Sequence, residues 1–403
     1  MKNFKVGILR ETKAPVDRRV AVTPGIAVEV KKRFPNVELV VQASDIRAIP
    51  DSEYLKNGIS VVRDVADCDI LIGVKEVAPE TLIEGKTYLM FAHVAKEQEY
   101  NRDFFRTMSH KNITLIDYEY LTDESHNRVV AFGYWAGVVG AYNAIVATCR
   151  KHGETTIPLP QELQGQEEMY SILESVKIPP QLRFLVTGGG RVAIGAMEVL
   201  RRAGIKEVAF TDYLTTEYDE PVICRIDPCQ YLRRKNGSRF LFNHYYTHPW
   251  EYESVFLPYT RLTDIYVPCH FWDQRSAVFF TKKEAEADDF RISVIADVSC
   301  DLQIPIPSTL RSSTLDDPFY DYSRKTGREK PAFSDADNIT VMAVDNLPGA
   351  LPADASGSFG EILLEKVFPS LFGTDTNKII ERGTILDKGR LGAHFDYLEN
   401  FLF

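Results

Sequence analysis

Residues 187–196, TGGGRVAIGA, set three glycines and several small residues where a strand-like run gives way to a helix-like one. Gly188, Gly190 and Ala193 fit the spacing G-x-G-x-x-A. The first glycine allows a tight turn, the second lets backbone N–H groups approach a pyrophosphate, and a small third residue lets the helix pack closely on the strand. The turn follows RFLVT (183–187) and opens a helix on which Ala193, Ala196 and Leu200 share one face, with Gly204 placed to end it. Asp212 comes 24 residues after Gly188, at the expected end of a second strand, EVAFT (207–211). A carboxylate there binds the adenosine ribose hydroxyls and repels a 2′-phosphate. Gly188, Gly189, Gly190, Arg191, Val192 and Asp212 thus form the expected dinucleotide site, with NAD preferred and NADP the alternative.

A second set lies in the first half of the chain. Lys75 follows DILIGV (69–74), His93 follows TYLMF (87–91) and Ala92, and Glu119 follows ITLIDY (113–118). Lys13 and Arg19 lie in RETKAPVDRRVAVTP (10–24), after the strand candidate KVGIL (5–9). In open α/β sheets ligands bind beyond the carboxyl ends of the strands. Any one of these residues alone reads as a solvated surface charge; polar groups at four strand ends read as a site. A cation-rich rim suits a substrate with several carboxylates, which arginine holds in a two-pronged grip.

The elements that must position these residues are legible as short apolar runs. KVGIL, VELVV (37–41), DILIGV, TYLMF and ITLIDY precede residue 140; RFLVT, EVAFT, DIYVPC (264–269), SVIADVS (293–299) and TVMAVDN (340–346) follow residue 180. Near-continuous apolar runs are those of strands buried on both faces of a parallel sheet. Between them lie amphipathic segments such as PGIAVEVKKR (24–33), where proline suits a first helical turn. The expected fold class is α/β, two Rossmann-like doubly wound domains with an active-site cleft between them. Residues 1–138 with 353–403 form the substrate-binding, catalytic domain, and 139–352 the NAD(P)-binding domain, interrupted by an insertion at 213–262. Residues 129–147 carry no charge, but their Gly and Ala content and Asn143 indicate a buried helix rather than a membrane span. The chain of 403 residues has a net charge of −10, which disfavours nucleic acid and anionic membranes as partners. No leader-like segment opens the sequence, and six cysteines without a C-x-x-C pair read as reduced thiols of a cytoplasmic protein.

RETKAPVDRRVAVTP, GVKE (73–76), FAHVAK (91–96) and RVVAFGYWAGVVG (128–140) resemble the alanine dehydrogenase and saccharopine dehydrogenase superfamily. GKTYLMFAHVAKEQEYN (85–101), LIDYEYL (115–121), HPWEY (248–252), ADVSCD (296–301) and VDNLPGALPADAS (344–356) are similar to its lysine-forming saccharopine dehydrogenase branch and to the lysine–ketoglutarate reductase domain. The resemblance implies reversible, NAD(P)-dependent condensation of L-lysine with 2-oxoglutarate to saccharopine. It makes Lys75 and His93 the acid–base pair, with Glu76 and Glu119 tuning them and Arg19, Lys13 and Lys96 holding substrate carboxylates. Asp301 stands near substrate and nicotinamide, Asp297 being the second candidate, and Asn346 and Leu347 border the nicotinamide. The rival readings are alanine dehydrogenase, another reductive-amination dehydrogenase, and a catalytically silent sensor of nucleotide and amino acid. Two departures stand out. Asp301 runs into Leu302-Gln303-Ile304-Pro305 rather than the family's small residues, and Asp212 favours NAD where the reductase domains use NADPH. With no second dehydrogenase domain in the sequence, the single-function form is expected.

Cys224, Cys229, His244 and His248 fit C-x4-C-x14-H-x3-H, near a zinc-finger spacing, beside the basic turn Arg233-Arg234-Lys235. Against a metal, His248 belongs to HPWEY, which the resemblance explains without cysteines, and no finger core is evident between Cys229 and His244. The expectation is therefore no metal site.

Overall fold

The computed structural model describes residues 3–152 and 156–402. The chain divides into two compact units, residues 1–132 with 352–403, and residues 133–351. Its first strands are β1 (Phe4–Ile8), β2 (Val37–Gln42), β3 (Ser60–Val62), β4 (Ile70–Lys75), β5 (Thr87–Phe91) and β6 (Thr114–Asp117). The second unit contributes β7 (Arg183–Thr187), β8 (Lys206–Glu207), β9 (Val222–Ile226), β10 (Leu232–Arg234), β11 (Tyr252–Ser254), β12 (Ile265–Pro268), β13 (Val294–Ala296), β14 (Phe319–Tyr322), β15 (Glu329–Lys330) and β16 (Ile339–Met342). The chain then returns to the first unit with β17 (Thr384–Asp387) and β18 (Arg390–Leu391).

The first unit is an eight-stranded sheet in the order β18-β17-β6-β5-β4-β1-β2-β3. β6 through β3 are parallel, and β17 and β18 close one edge antiparallel. Chain order reverses between β1 and β4, the switch point at which such sheets bind ligands. Helix α1 (Pro24–Arg33) begins at proline, which tolerates a first turn, and buries Ile26, Ala27 and Val30 against the sheet core. Residues from 352 onward belong to this unit: Ser356 Oγ accepts the Val20 N–H at 2.9 Å, and Phe359 joins Phe91, Tyr118 and Phe132 in one aromatic cluster.

The second unit has its own eight-stranded sheet, β15-β14-β16-β13-β12-β7-β9-β8, parallel from β16 to β8. β10 and β11 form a separate antiparallel pair. Two mixed α/β units, each built on a doubly wound sheet of mainly parallel strands, make the fold Rossmann-like in both. Helix α2 (Gly133–His152) holds most of the uncharged stretch 129–147, and fourteen of its residues, from Trp135 to Cys149, are buried. It packs on α3 (Arg191–Arg202) so closely that a β-carbon at Gly137 would overlap the Val192 carbonyl oxygen. Among the described residues no helix is long and apolar enough to cross a membrane.

Nine of the ten apolar runs that read as strands are strands. EVAFT is the exception. Only Lys206 and Glu207 pair, at an exposed sheet edge, and helix α4 (Phe210–Thr215) starts where the apolar run predicts a strand's end. The stretch 213–262 also needs correction as an insertion. Its residues 222–226 form β9, which lies directly beside β7. VICRI is the more apolar run, with four of its five residues buried, so it takes the interior place and leaves the polar KE pair at the edge.

Candidate active site and dinucleotide turn

Within the first unit, β1, β4, β5 and β6 are neighbours, so the groups at their carboxyl ends form one row. Lys75 is the last residue of β4, His93 stands two residues beyond β5, and Glu119 two beyond β6. The loop after β1 brings Glu11, Lys13, Asp17 and Arg19.

Glu76 ties this row together. Its Oε1 accepts a hydrogen bond from the Lys13 ammonium, and its Oε2 lies 3.6 Å from His93 Nδ1, an ion-pair separation rather than a hydrogen-bond length. Burial pushes the Glu76 carboxyl up, but the interactions with His93 and then Lys13 prevail and hold it at about 2. The Lys75 ammonium makes no hydrogen bond or ion pair among the described residues. Burial, and then the charges of Arg19 and Lys13, lower its pKa from the ordinary lysine value. A lysine with a lowered pKa, at a strand end next to that of a histidine and an anchored carboxylate, is a candidate for acid–base work.

Several cations of the rim are paired with carboxylates. Lys96 Nζ lies 3.1 Å from Glu119 Oε1, and Arg128 reaches the same oxygen at 3.6 Å. Arg19 is 3% exposed. Its Nε and Nη2 grip Asp17 at 3.0 and 2.5 Å, and its guanidinium lies over the Phe132 ring. Arg19, expected on an open rim, is thus a buried ion pair. The Asp17 carboxyl, which burial would raise, is held low by the Arg19 hydrogen bonds.

Two acids not singled out from the sequence complete the row. Glu11 Oε1 and Oε2 accept the backbone N–H groups of Val74 and Lys75 at 2.7 and 2.8 Å. Asp117 Oδ2 accepts those of Ala92 and His93 at 3.1 and 3.2 Å, and its Oδ1 that of Glu119 at 2.8 Å. Burial raises Glu11 to about 7 and Asp117 to about 6. Both stand in stretches that carry the family resemblance, Glu11 in RETKAPVDRRVAVTP and Asp117 in LIDYEYL.

In the second unit the glycine turn joins β7 to α3, as the spacing indicates. Gly188 has φ 106 and would carry a β-carbon 2.7 Å from the Cys269 carbonyl oxygen, so no larger residue fits. A β-carbon on Gly189 would meet Asp227 Oδ1 at 2.5 Å and Arg225 Nη1 at 3.0 Å, whereas one on Gly190 would meet nothing. The turn is therefore packed on one side and open on the other, at the N-terminus of a 12-residue helix. That is a cradle of the right kind for a pyrophosphate. Arg191 is exposed and Val192 half-buried at its rim.

Asp212 is not at the end of the strand beside β7. It is exposed in the first turn of α4, and its carboxylate accepts only from Thr211 Oγ1 among the described residues. The acid at the end of that neighbouring strand is Asp227, directly after β9. Arg225 Nη1 donates to its Oδ1 at 2.6 Å and to the Gly188 carbonyl at 3.2 Å. Sequence spacing leads to Asp212 because the chain visits edge strand β8 before interior strand β9.

Asp301 lies in the loop after β13, where burial and then the Asp297 charge raise it to about 6. Asp297 is fully buried and accepts from Ser299 N and Oγ, Cys300 N and Thr309 Oγ1. It anchors the loop. Asn346 and Leu347 begin the turn after β16 and its following loop, Asn346 half-buried and Leu347 buried. Of the four would-be zinc ligands, Cys224 is in the core of β9 and Cys229 is exposed. His244 stacks on His248 and bonds to Arg234 and Tyr252. No metal-holding group of three such residues occurs among the described residues.

Residues 7–139 match the family model of the alanine dehydrogenase/PNT N-terminal domain. Together with the fold, this defines the class: a Rossmann-like α/β chain of two units whose first third matches that domain's model. Over nearly its whole length the chain is similar to alpha-aminoadipic semialdehyde synthase of Arabidopsis thaliana, 26% identical over 98% of this chain and 41% of the relative. The mouse protein of the same name is matched at 26% over 98% of this chain and 47% of the relative. The chain therefore spans less than half the length of these synthases. It is also 26% identical to a saccharopine dehydrogenase (NAD(+), L-lysine-forming) of Yarrowia lipolytica, covering 89% of this chain and 90% of the relative. Among solved structures, an L-alanine dehydrogenase matches with a TM-score of 0.66 and 15% identity over 99% of this chain and all of that one, a likeness of fold.

Proposed function

We propose that this chain is an NAD-dependent oxidoreductase that forms and cleaves saccharopine, joining L-lysine to 2-oxoglutarate. The observation that carries the reading is Lys75: a half-buried ammonium without a bonding partner among the described residues, its pKa lowered, in one row with His93 and the anchored Glu76. The relatives named for this reaction support it. When bound at the glycine turn, the nicotinamide cofactor supplies or accepts the hydride. The protein's part is proton handling. The lysine ε-amine adds to the keto carbon, and proton transfers between nitrogen and oxygen let water leave the resulting carbinolamine. Hydride addition to the imine carbon, with a proton on nitrogen, gives the secondary amine.

In this reading Lys75 Nζ, its pKa lowered by burial first, takes the proton from the substrate amine, and His93 delivers one to the leaving hydroxyl. Glu76 keeps His93 and Lys13 aligned, and Lys13, Lys96 and Arg128 form the cationic rim beside substrate carboxylates. Asp301, raised to about 6, is assigned to the substrate side of the nicotinamide, with Asn346 and Leu347 at its border. Asp227, rather than Asp212, holds the adenosine ribose. Residues 1–138 with 353–403 act as the catalytic part and 139–352 as the cofactor-binding part. Six free cysteines suit the cytoplasmic placement expected from the sequence.

The test is a substrate panel followed by absorbance: NADH or NADPH, with 2-oxoglutarate or pyruvate, and lysine, ornithine or ammonia. Lysine with 2-oxoglutarate should be the productive pair. Lys75→Met and His93→Gln should each lower kcat by ~10²–10⁴ and leave NADH affinity nearly unchanged. Near-normal turnover in both variants would refute the assignment.

A further inference from the structure

Lys75 and His93 both stand where the backbone is irregular. β4 and β5 lose register between Ile72 and Lys75, so the end of β4 departs from the regular ladder and re-aims the side chain that follows. His93 has φ 57, the left-handed region that a β-carbon disfavours. Backbone in such places persists only where its surroundings over-determine it, and its N–H groups need partners outside the ladder.

Each place has one buried carboxylate. Glu11, from the loop after β1, reaches across to β4 and takes the N–H groups of Val74 and Lys75 with its two oxygens. Asp117, at the end of β6, reaches across to β5 and takes those of Ala92 and His93, and holds Glu119 with its other oxygen. Glu11 is 6% exposed and Asp117 0%, so neither is a surface acid reaching for solvent. A carboxylate is the one side chain with two acceptor oxygens and no donor. An amide in its place would set an N–H₂ group against a backbone N–H. A dry carboxylate is costly to keep, and the chain keeps one at each of the two strand ends that carry the relay.

We infer that Glu11 and Asp117 are positioning residues of the reaction: Glu11 fixes the backbone from which Lys75 projects, and Asp117 fixes that of His93. The inference rests on the reading of Lys75 and His93 as the proton relay. It predicts that the two acids act on turnover rather than on binding, and only through those residues.

The experiment is steady-state kinetics on the full chain with lysine, 2-oxoglutarate and NADH, together with calorimetric NADH binding. Glu11→Gln and Asp117→Asn should each lower kcat by about 10-fold or more, since small misplacements of a reacting group are that costly. Substrate KM values and the NADH dissociation constant should stay within about 2-fold. Added to Lys75→Met, Glu11→Gln should lower kcat no further; added to His93→Gln, Asp117→Asn should lower it no further. A merely structural role would scale every background alike, and losses that multiply, or a kcat left intact, would overturn the inference. Should either amide variant fail to fold, Glu11→Asp and Asp117→Glu keep the charge but move the oxygens. In them too, a kcat loss absorbed by the relay variant supports the inference, and a multiplying loss or an intact kcat overturns it. Normal turnover in Lys75→Met and His93→Gln would sink the relay reading and this inference with it. Loss there beside unaffected or multiplying acid variants would overturn this inference alone.

Discussion

Glu76 stands between Lys13 and His93, one oxygen bonded to the ammonium and the other 3.6 Å from the imidazole Nδ1. With its carboxyl held at about 2, it is an anion at any working pH, and its charge opposes the lowering of the Lys75 pKa. Replacing it by the neutral amide removes that support. Glu76→Gln should lower kcat by roughly 10-fold and shift the limb of the kcat–pH profile that reports Lys75 toward lower pH. A limb that stays in place excludes Glu76 from tuning Lys75.

Arg19 and Asp17 make a different kind of prediction, because both are buried and grip each other twice. On an open rim, Arg19→Ala would mainly raise the KM for the keto acid. In the structure the same substitution strands the Asp17 carboxylate without its guanidinium. Breaking a buried pair from one side typically destabilises by about 3–5 kcal/mol. The urea midpoint should fall accordingly, with a smaller fall for Arg19→Lys. A purely kinetic effect with an unchanged midpoint would restore the open-rim reading.

Cofactor binding separates the two acids near the glycine turn. Asp227 ends the strand beside β7, at the side of Gly189, whereas Asp212 is exposed on α4. A hydrogen bond to a charged group contributes about 1.5–3 kcal/mol, so Asp227→Asn should weaken NADH binding by roughly 10-fold or more. Asp212→Asn should leave the calorimetric titration unchanged. The reverse pattern would return the ribose to Asp212.

Much of this is legible in the residues. Buried parallel strands read as continuous apolar runs, so nine strands and the turn after RFLVT follow from sequence, as does the row of Lys75, His93 and Glu119 at successive strand ends. The misreadings share one physical origin. Strand order is a long-range property: VICRI is the more apolar run, but only the assembled sheet places it beside β7, and spacing alone ranks the acid that follows each. Likewise the pairing of Arg19 with Asp17, two residues apart, is visible only once the loop places the guanidinium against Phe132. Glu11 and Asp117 escape notice because their partners are backbone N–H groups, which carry no sequence signature.

Those two buried acids also set a pH dependence of stability. Glu11 is raised from 4.5 to about 7 and Asp117 from 3.8 to about 6, in both cases by burial first. Between each ordinary value and the raised one, the folded chain holds a proton that the unfolded chain has released. The folded state then binds more protons, so stability falls as pH rises through about 4 to 7 and the penalty is complete above it. Glu76 works in the opposite sense: its carboxyl lies at about 2, so its contribution is present above 4.5 and is lost as pH falls below that. Stability of this unit should therefore increase on acidification from pH 7.5 to about 5 and decline on further acidification. Each unit of displacement is worth about 1.4 kcal/mol, large enough to read in urea midpoints. Glu11→Gln removes the larger upper part of the rise, so the variant should gain less than the natural chain between pH 7.5 and 5. If both chains show the same change over that interval, Glu11 does not carry a raised carboxyl pKa, and the buried clamp on Val74 and Lys75 holds its charge throughout.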